Sequence, residues 1–196
     1  MNYVVGVAYE GNKDIEVIKI IIERLGKLFG YNLTLSTHRR GVINAHTVII
    51  KLLKSYTEYM FNEARVDYAF YFTDQDTDPD DRRVKILNKI KLVDPGLLSR
   101  ACVGVANPCF EKWLLADEDI VKKVLKYNAN KALPHKLVNP KDRFQMLVRE
   151  SSVDILPVDA KVAIANNMSF TKLCKQNNGF KELYESVKKY VGNTEQ

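Results

Sequence analysis

The sequence predicts an α/β fold: a parallel four-stranded sheet covered by helices on both faces, followed by a helical C-terminal region. Three observations predict it. Short apolar runs of strand length recur through the first 106 residues, the stretches between them carry apolar residues at helical spacing, and the last 60 residues show helical patterns without further strand signals. Strand–helix alternation of this kind builds parallel sheets with helices on both faces.

Taken in order, Tyr3 to Ala8 (YVVGVA) is a run suited to a strand buried on both sides. It stops at Glu10-Gly11-Asn12, and Asp14 stands at a helix start, where an acid or cap belongs. Apolar residues at 15, 18, 21, 22, 25 and 28 give the first helix its period. Asn32 to Leu35 is the second strand, followed by the basic loop His38-Arg39-Arg40-Gly41 and a helix over 47–61. Tyr68 to Thr73 (YAFYFT), aromatic and unbroken, is the third strand. A helix over 81–93 ends at Pro95-Gly96, Cys102 to Ala106 is the fourth strand, and a helix starts near Pro108. Further helices are expected over 139–150, 159–167, 170–176 and 179–191. The organisation expected is an α/β catalytic core over 1–130 and a helical subdomain over 131–196 packed on it.

The 196 residues carry 30 Lys+Arg and 24 Asp+Glu, a net charge of +6, with 46% hydrophobic and 28% charged residues. That is ordinary globular composition, neither disordered nor fibrous. No stretch approaches the ~20 apolar residues of a membrane span, and Glu10 and Asp14 interrupt any signal-peptide core. Three cysteines, Cys102, Cys109 and Cys174, do not suggest a disulfide framework. A soluble, cytoplasmic protein is expected. The charge is uneven: between Asp74 and Lys85 five aspartates face three basic residues, a local −2, so the remainder carries +8. A basic surface favours a polyanion such as DNA or RNA.

Ligands of open α/β sheets gather outside the carboxyl ends of the strands. Those ends carry Glu10 and the run Asp74-Gln75-Asp76-Thr77-Asp78. In an extended segment Asp74 and Asp76 share a side, and if the first and third strands are neighbours Glu10 joins them. Three such carboxylates repel unless a divalent cation neutralises them. Mg²⁺ or Mn²⁺ suits oxygen ligands and phosphate chemistry, with Glu10, Asp74, Asp76 and Asp78 as metal ligands. The alternative is that these aspartates are turn and cap residues, and Asp80 and Asp81 in particular suit the first turn of the next helix. An EF-hand loop from Asp74 fails on Pro79 and Lys85 at the sixth and twelfth positions. A haloacid-dehalogenase motif fails on its strand and on Asp78 at the fifth position. A D-x-D nucleotide-sugar transferase using Mn²⁺ fits locally but leaves Glu10 unexplained. Arg39, Arg40, Arg82 and Arg83 border the expected cleft as phosphate ligands. His38, His46 and His135 have no zinc-ligand spacing with the cysteines, and Cys109 reads as a small buried hydrophobe. Phosphate-loop and dinucleotide fingerprints are absent from the sequence.

An apolar strand ending in Glu10-Gly11, Asp14 on the next helix, and a third strand ending in Asp74-x-Asp76 resemble the TOPRIM pattern of topoisomerases, primases, OLD-family nucleases and small stand-alone relatives. Pro108-Cys109-Phe110-Glu111-Lys112-Trp113-Leu114-Leu115 is similar to a segment of the RloB-like stand-alone group. Asp159-Ala160-Lys161, Ser169-Phe170-x-x-Leu173 and Phe180-x-x-Leu183 resemble that group's C-terminal helices. The resemblance covers nearly the whole chain. It implies a Mg²⁺-dependent nuclease acting on DNA or RNA, with Glu10 as general acid/base or metal ligand and Asp74 and Asp76 as metal ligands. It adds Asp14 and Glu111 as further acids, and a place in prokaryotic or phage defence. OLD-type nucleases usually carry an ATPase domain, which has no counterpart in this sequence, so the resemblance implies a protein that acts alone, works with a separate ATPase subunit, or has lost catalysis. A TOPRIM module that binds nucleic acid without cleaving it is the alternative.

Overall fold

The computed structural model describes residues 1–10, 14–36, 42–43, 46–76, 78–127 and 139–191. Five strands, β1 (Asn2–Glu10), β2 (Asn32–Leu35), β3 (Val42–Ile43), β4 (Tyr68–Asp74) and β5 (Ala101–Ala106), form one parallel sheet in the order β2-β1-β4-β5 among the described residues. The expected four strands make this path. The two-residue β3 pairs with Tyr9 and Glu10 beyond the end of β2, on the edge of β1 opposite β4. It is too short to leave an apolar run in the sequence.

Residue alternation along the strands divides the core in two. Val5, Val7, Tyr9, Phe70, Phe72 and Cys102 lie in one apolar cluster. Ala8, Ala69, Tyr71, Val103 and Val105 lie in the other. The first face is covered by α1 (Ile15–Leu28), whose Val17, Ile18, Ile21, Ile22 and Leu25 are buried at helical spacing. Gly30, in the left-handed region at φ +80°, turns the chain from α1 into β2. The second face is covered by α2 (His46–Glu58), a π-helical turn at Tyr59–Glu63, α3 (Arg82–Val93) and a 3₁₀ turn at Pro95–Arg100. There Thr57 and Tyr71 satisfy each other's buried hydroxyls at 2.9 Å.

After β5 come α4 (Phe110–Leu114), α5 (Glu118–Val124), α6 (Pro140–Arg149), α7 (Pro157–Asn167), α8 (Phe170–Gln176) and α9 (Asn178–Tyr190). Helix α5 has little apolar period, and its signal is charge order: Glu118 and Asp119 in the first turn, Lys122 and Lys123 in the last. Side chains of α6 to α9, among them Phe144, Ile164, Phe170, Phe180 and Leu183, belong to the same cluster as β1, β4 and α1. The C-terminal helices therefore complete the sheet's core. No helix among the described residues is long and apolar enough to cross a membrane.

Phe72 shows how tightly the layers are joined, since its ring lies 6.4 Å from those of both Phe70 and Trp113. Phe72→Ala is expected to destabilise the protein by about 3–5 kcal/mol. Urea unfolding should show a lower midpoint at unchanged slope.

Candidate functional site

The parallel pairing of β1 with β4 matches Tyr9 to Phe72, so Glu10 arrives beside Thr73. Glu10 Oε2 accepts from Thr73 Oγ1 at 2.7 Å and from the Asp74 amide at 3.3 Å. Arg82 opens α3 and is only 5% exposed. Its guanidinium donates to Glu10 (3.3 Å), to Thr73 Oγ1 (3.1 Å), to the Asp74 carbonyl and to Asp78 Oδ2 (3.3 Å). One buried cation thus fixes the ends of two strands. Asp74 Oδ1 accepts from the Phe110 amide at 2.9 Å, while Oδ2 meets Lys141 Nζ at 3.2 Å.

Asp74 and Asp76 converge by a turn, not by extended alternation. Strand β4 ends at Asp74, and Asp76 has φ +44°, a left-handed conformation that aspartate tolerates better than most residues. Its amide donates to the Pro108 carbonyl at 2.8 Å. Both carboxylates still face Lys141, whose Nζ lies 3.6 Å from Asp76 Oδ1. A second lysine does the same for the helix acids: Lys161 Nζ lies 2.8 Å from Asp14 and 2.7 Å from Glu111. Glu10, Asp14, Thr73 and Asp74 line a cavity of about 10 Å³, room for a single water-sized occupant.

Burial pushes the Asp74 carboxyl up to about 7, against Lys141, which lowers it; Asp76 and Glu111 raise it further. Burial works against the Lys141 ammonium, but Asp74 and Asp76 prevail and hold it above the ordinary lysine range. Lys161 is likewise raised against its burial by Asp14 and Glu111. Burial opposes ionisation of Glu111, yet Lys161 leaves it below the usual carboxylate value. Asp78 is also lowered, first by the Asp80 amide and then by Lys85 and Arg82.

The sequence-derived residues thus separate into groups. Glu10, Asp14 and Asp74 share one small cavity, Asp76 joins Asp74 through Lys141, and Glu111 joins Asp14 through Lys161. Asp78 turns to Arg82 and Lys85, and Asp81 caps α3 by accepting from the Val84 amide. Arg82 braces the acids from inside, and Arg83 pairs with Glu182 at 3.1 Å. Arg39, Arg40, His38 and His135 lie outside the described residues. The Cys109 thiol is buried and pushed up to about 12, first by burial and then by Glu111 and Asp74. Lys141 and Lys161 were not singled out from sequence. Pro140-Lys141 at a helix start and Asp159-Ala160-Lys161 were visible, but a lysine partnered 50 to 147 positions away leaves no local mark.

The donor set is all oxygen, which suits a hard divalent cation, and the raised Asp74 carboxyl is the group such a cation would relieve. Among the described residues no three acidic, histidine or cysteine side chains are gathered to hold an ion. An ammonium stands between Asp74 and Asp76 instead. The residues fit a cation if Lys141, 47% exposed, gives up its position. Comparisons with protein-family models, curated proteins and solved structures found no match.

Two outcomes are expected. Lys161→Met leaves Asp14 and Glu111 facing each other without a cation, and should cost about 3 kcal/mol; adding Glu111→Gln should recover part of that in thermal unfolding. In metal-free buffer, an acid whose value is raised to about 7 on folding loses stability as pH climbs from the unfolded value of about 3.9. Asp74→Asn should therefore gain on the parent between pH 4 and pH 8 in urea unfolding, and a gap that stays constant with pH would exclude the raised carboxyl.

Proposed function

We propose that the protein is a Mg²⁺- or Mn²⁺-dependent nuclease that cleaves phosphodiester bonds in DNA or RNA. The observation that carries this reading is that Glu10 and Asp74 stand side by side at the carboxyl ends of two adjacent parallel strands, with Asp76 in the following turn sharing Lys141 with Asp74, in a chain of net charge +6. Asp74 and Asp76 would hold the cation, with Glu10 beside Asp74. A divalent ion held there would supply charge stabilisation for a phosphoryl group and favour ionisation of water. Glu10, held at Oε2 by Thr73, the Asp74 amide and Arg82, would accept or return a proton through its carboxylate. Arg82 keeps that carboxylate in one orientation, so a reacting strand meets a preformed acid–base group. The resemblance to stand-alone TOPRIM proteins supports the same reading and a role in prokaryotic or phage defence.

A second reading is favoured by the fact that Lys141, Arg82 and Lys161 already neutralise these acids. A non-catalytic module that binds nucleic acid, alone or with a separate ATPase subunit, would keep the fold and this internal pairing.

Incubation with plasmid, single-stranded DNA and RNA in Mg²⁺ or Mn²⁺ distinguishes them. Cleavage is expected, Glu10→Gln should reduce it by about 100-fold or more, and Asp74→Asn should reduce it as well. Saturable binding without turnover in either metal would select the second reading. Cleavage that persists in both variants would refute the site.

A further inference from the structure

The three cations that compensate the acids of the sheet edge differ in their freedom. Arg82 and Lys161 are buried, and each is bound to two acids: Arg82 to Glu10 and Asp78, Lys161 to Asp14 and Glu111. The Lys141 side chain is 47% exposed, whereas those of its partners Asp74 and Asp76 are 18% and 28% exposed. Its backbone is fixed. Pro140 opens α6, Asn139 Oδ1 accepts from the Lys141 amide at 2.9 Å, and Phe144, Leu147 and Val148 are buried along the helix. Only the side chain is free to swing. A lysine in the first turn also stands at the positive end of the helix dipole, which disfavours it. What holds the ammonium there is the pair of carboxylates.

Asp74 commits Oδ1 to the Phe110 amide at 2.9 Å and turns Oδ2 to Lys141 at 3.2 Å, while Asp76 Oδ1 lies 3.6 Å from the same nitrogen. The Lys141 nitrogen therefore marks the point on which the two carboxylates converge. A hard divalent cation takes its oxygen ligands at roughly 2.0–2.6 Å, so an ion shared by Asp74 and Asp76 competes with this ammonium for one position. Charge decides the competition. The two carboxylates carry a formal −2, which Lys141 reduces to −1. Exchanging the ammonium for K⁺ or Na⁺ leaves −1 again and gives up a charge-assisted hydrogen bond. Exchanging it for Mg²⁺ or Mn²⁺ closes the balance at zero, beside carboxylates largely withdrawn from water, where the added charge counts most.

We propose that Lys141 selects the cation of this site: its ammonium holds the position between Asp74 and Asp76 and yields it to divalent ions but not to monovalent ones. The inference rests on the nuclease reading only in placing the ion at these two aspartates. The competing position is the small cavity of about 10 Å³ lined by Glu10, Asp14 and Asp74, where an ion would leave Lys141 in place.

The test uses the full-length chain, stripped of metal and without substrate. Acetylation of Lys141 by an N-hydroxysuccinimide ester is followed by peptide mass spectrometry, with Lys91, exposed on α3, as the internal reference. Saturating Mg²⁺ or Mn²⁺ should quicken acetylation of Lys141 severalfold relative to Lys91, and KCl at the same ionic strength should not. Mn²⁺ affinity, read from the electron paramagnetic resonance of the free ion, should tighten by about tenfold in Lys141→Met. Lys141→Arg, which keeps the charge, should stay at or below the affinity of the parent. Adding Asp74→Asn to Lys141→Met should abolish the gain. Unchanged affinity in Lys141→Met, an equal gain in Lys141→Arg, or acetylation that ignores the divalent ions or responds equally to KCl overturns the proposal. Absent cleavage with Lys141 displaced would refute the nuclease reading alone, and cleavage with Lys141 still held would refute this proposal alone.

Discussion

Partly buried negative charge at the carboxyl ends of a parallel sheet is the constraint on which this structure turns. Glu10 and Asp74 come from adjacent strands, and Asp14 and Glu111 from the helix starts that follow β1 and β5. In such surroundings like charges a few ångströms apart repel strongly. Their compensation comes from three separate helices: Arg82 from α3, Lys141 from α6 and Lys161 from α7. Neutralising the site and attaching the helices to the sheet edge are therefore one interaction. Pairs of this kind add little net stability compared with an apolar replacement, yet losing one partner is costly. The arrangement fixes where the helices sit more than it fixes how stable they are.

Apolar packing makes that placement exact enough to matter. Trp113 in α4 lies 5.1 Å from Phe110, 6.4 Å from Phe72 and 5.2 Å from Phe180, ring centre to ring centre. One indole thus joins β4, α4 and α9. Because α4 is held there, the Phe110 amide is presented to Asp74 and the Glu111 carboxylate to Lys161. The hydrophobic cluster below the edge positions the polar atoms above it.

Much of this was legible in the sequence, and the residues show why the rest was not. Strand runs such as YAFYFT and the apolar period of α1 report burial directly, so the sheet and most helices follow from them. Glu10 and Asp74 were legible because strand ends meet wherever neighbouring strands are parallel. Asp76 was harder, since a left-handed residue breaks the alternation from which its direction was inferred. Lys161 was hidden for a different reason. Its partners are fixed by how α7 packs on α1 and α4, and no local pattern encodes that docking. Arg82 looked like a surface phosphate ligand because it follows an acidic turn; burial turned it inward.

The two lysines differ in a way that bears on chemistry. Lys161 is 10% exposed and sits against two acids and the ring of Phe144, 5.9 Å away. Moving it would strand two partly buried carboxylates. Lys141 is 47% exposed, pairs with Asp74 and Asp76, and belongs to the last helix before α7. The lysine end of this pair reaches solvent while Asp74 is only 18% exposed, so the ammonium can leave more readily than that of Lys161, provided another cation takes its place. The acid it would release, Asp74, is the one whose ionisation is opposed by burial, Asp76 and Glu111 together. A doubly charged ion would answer that opposition better than a single ammonium does. On the proposed reading, Lys161 is the permanent counter-charge of the fold and Lys141 the replaceable one, which places cation exchange at Asp74 and Asp76 and leaves Asp14 and Glu111 as scaffold.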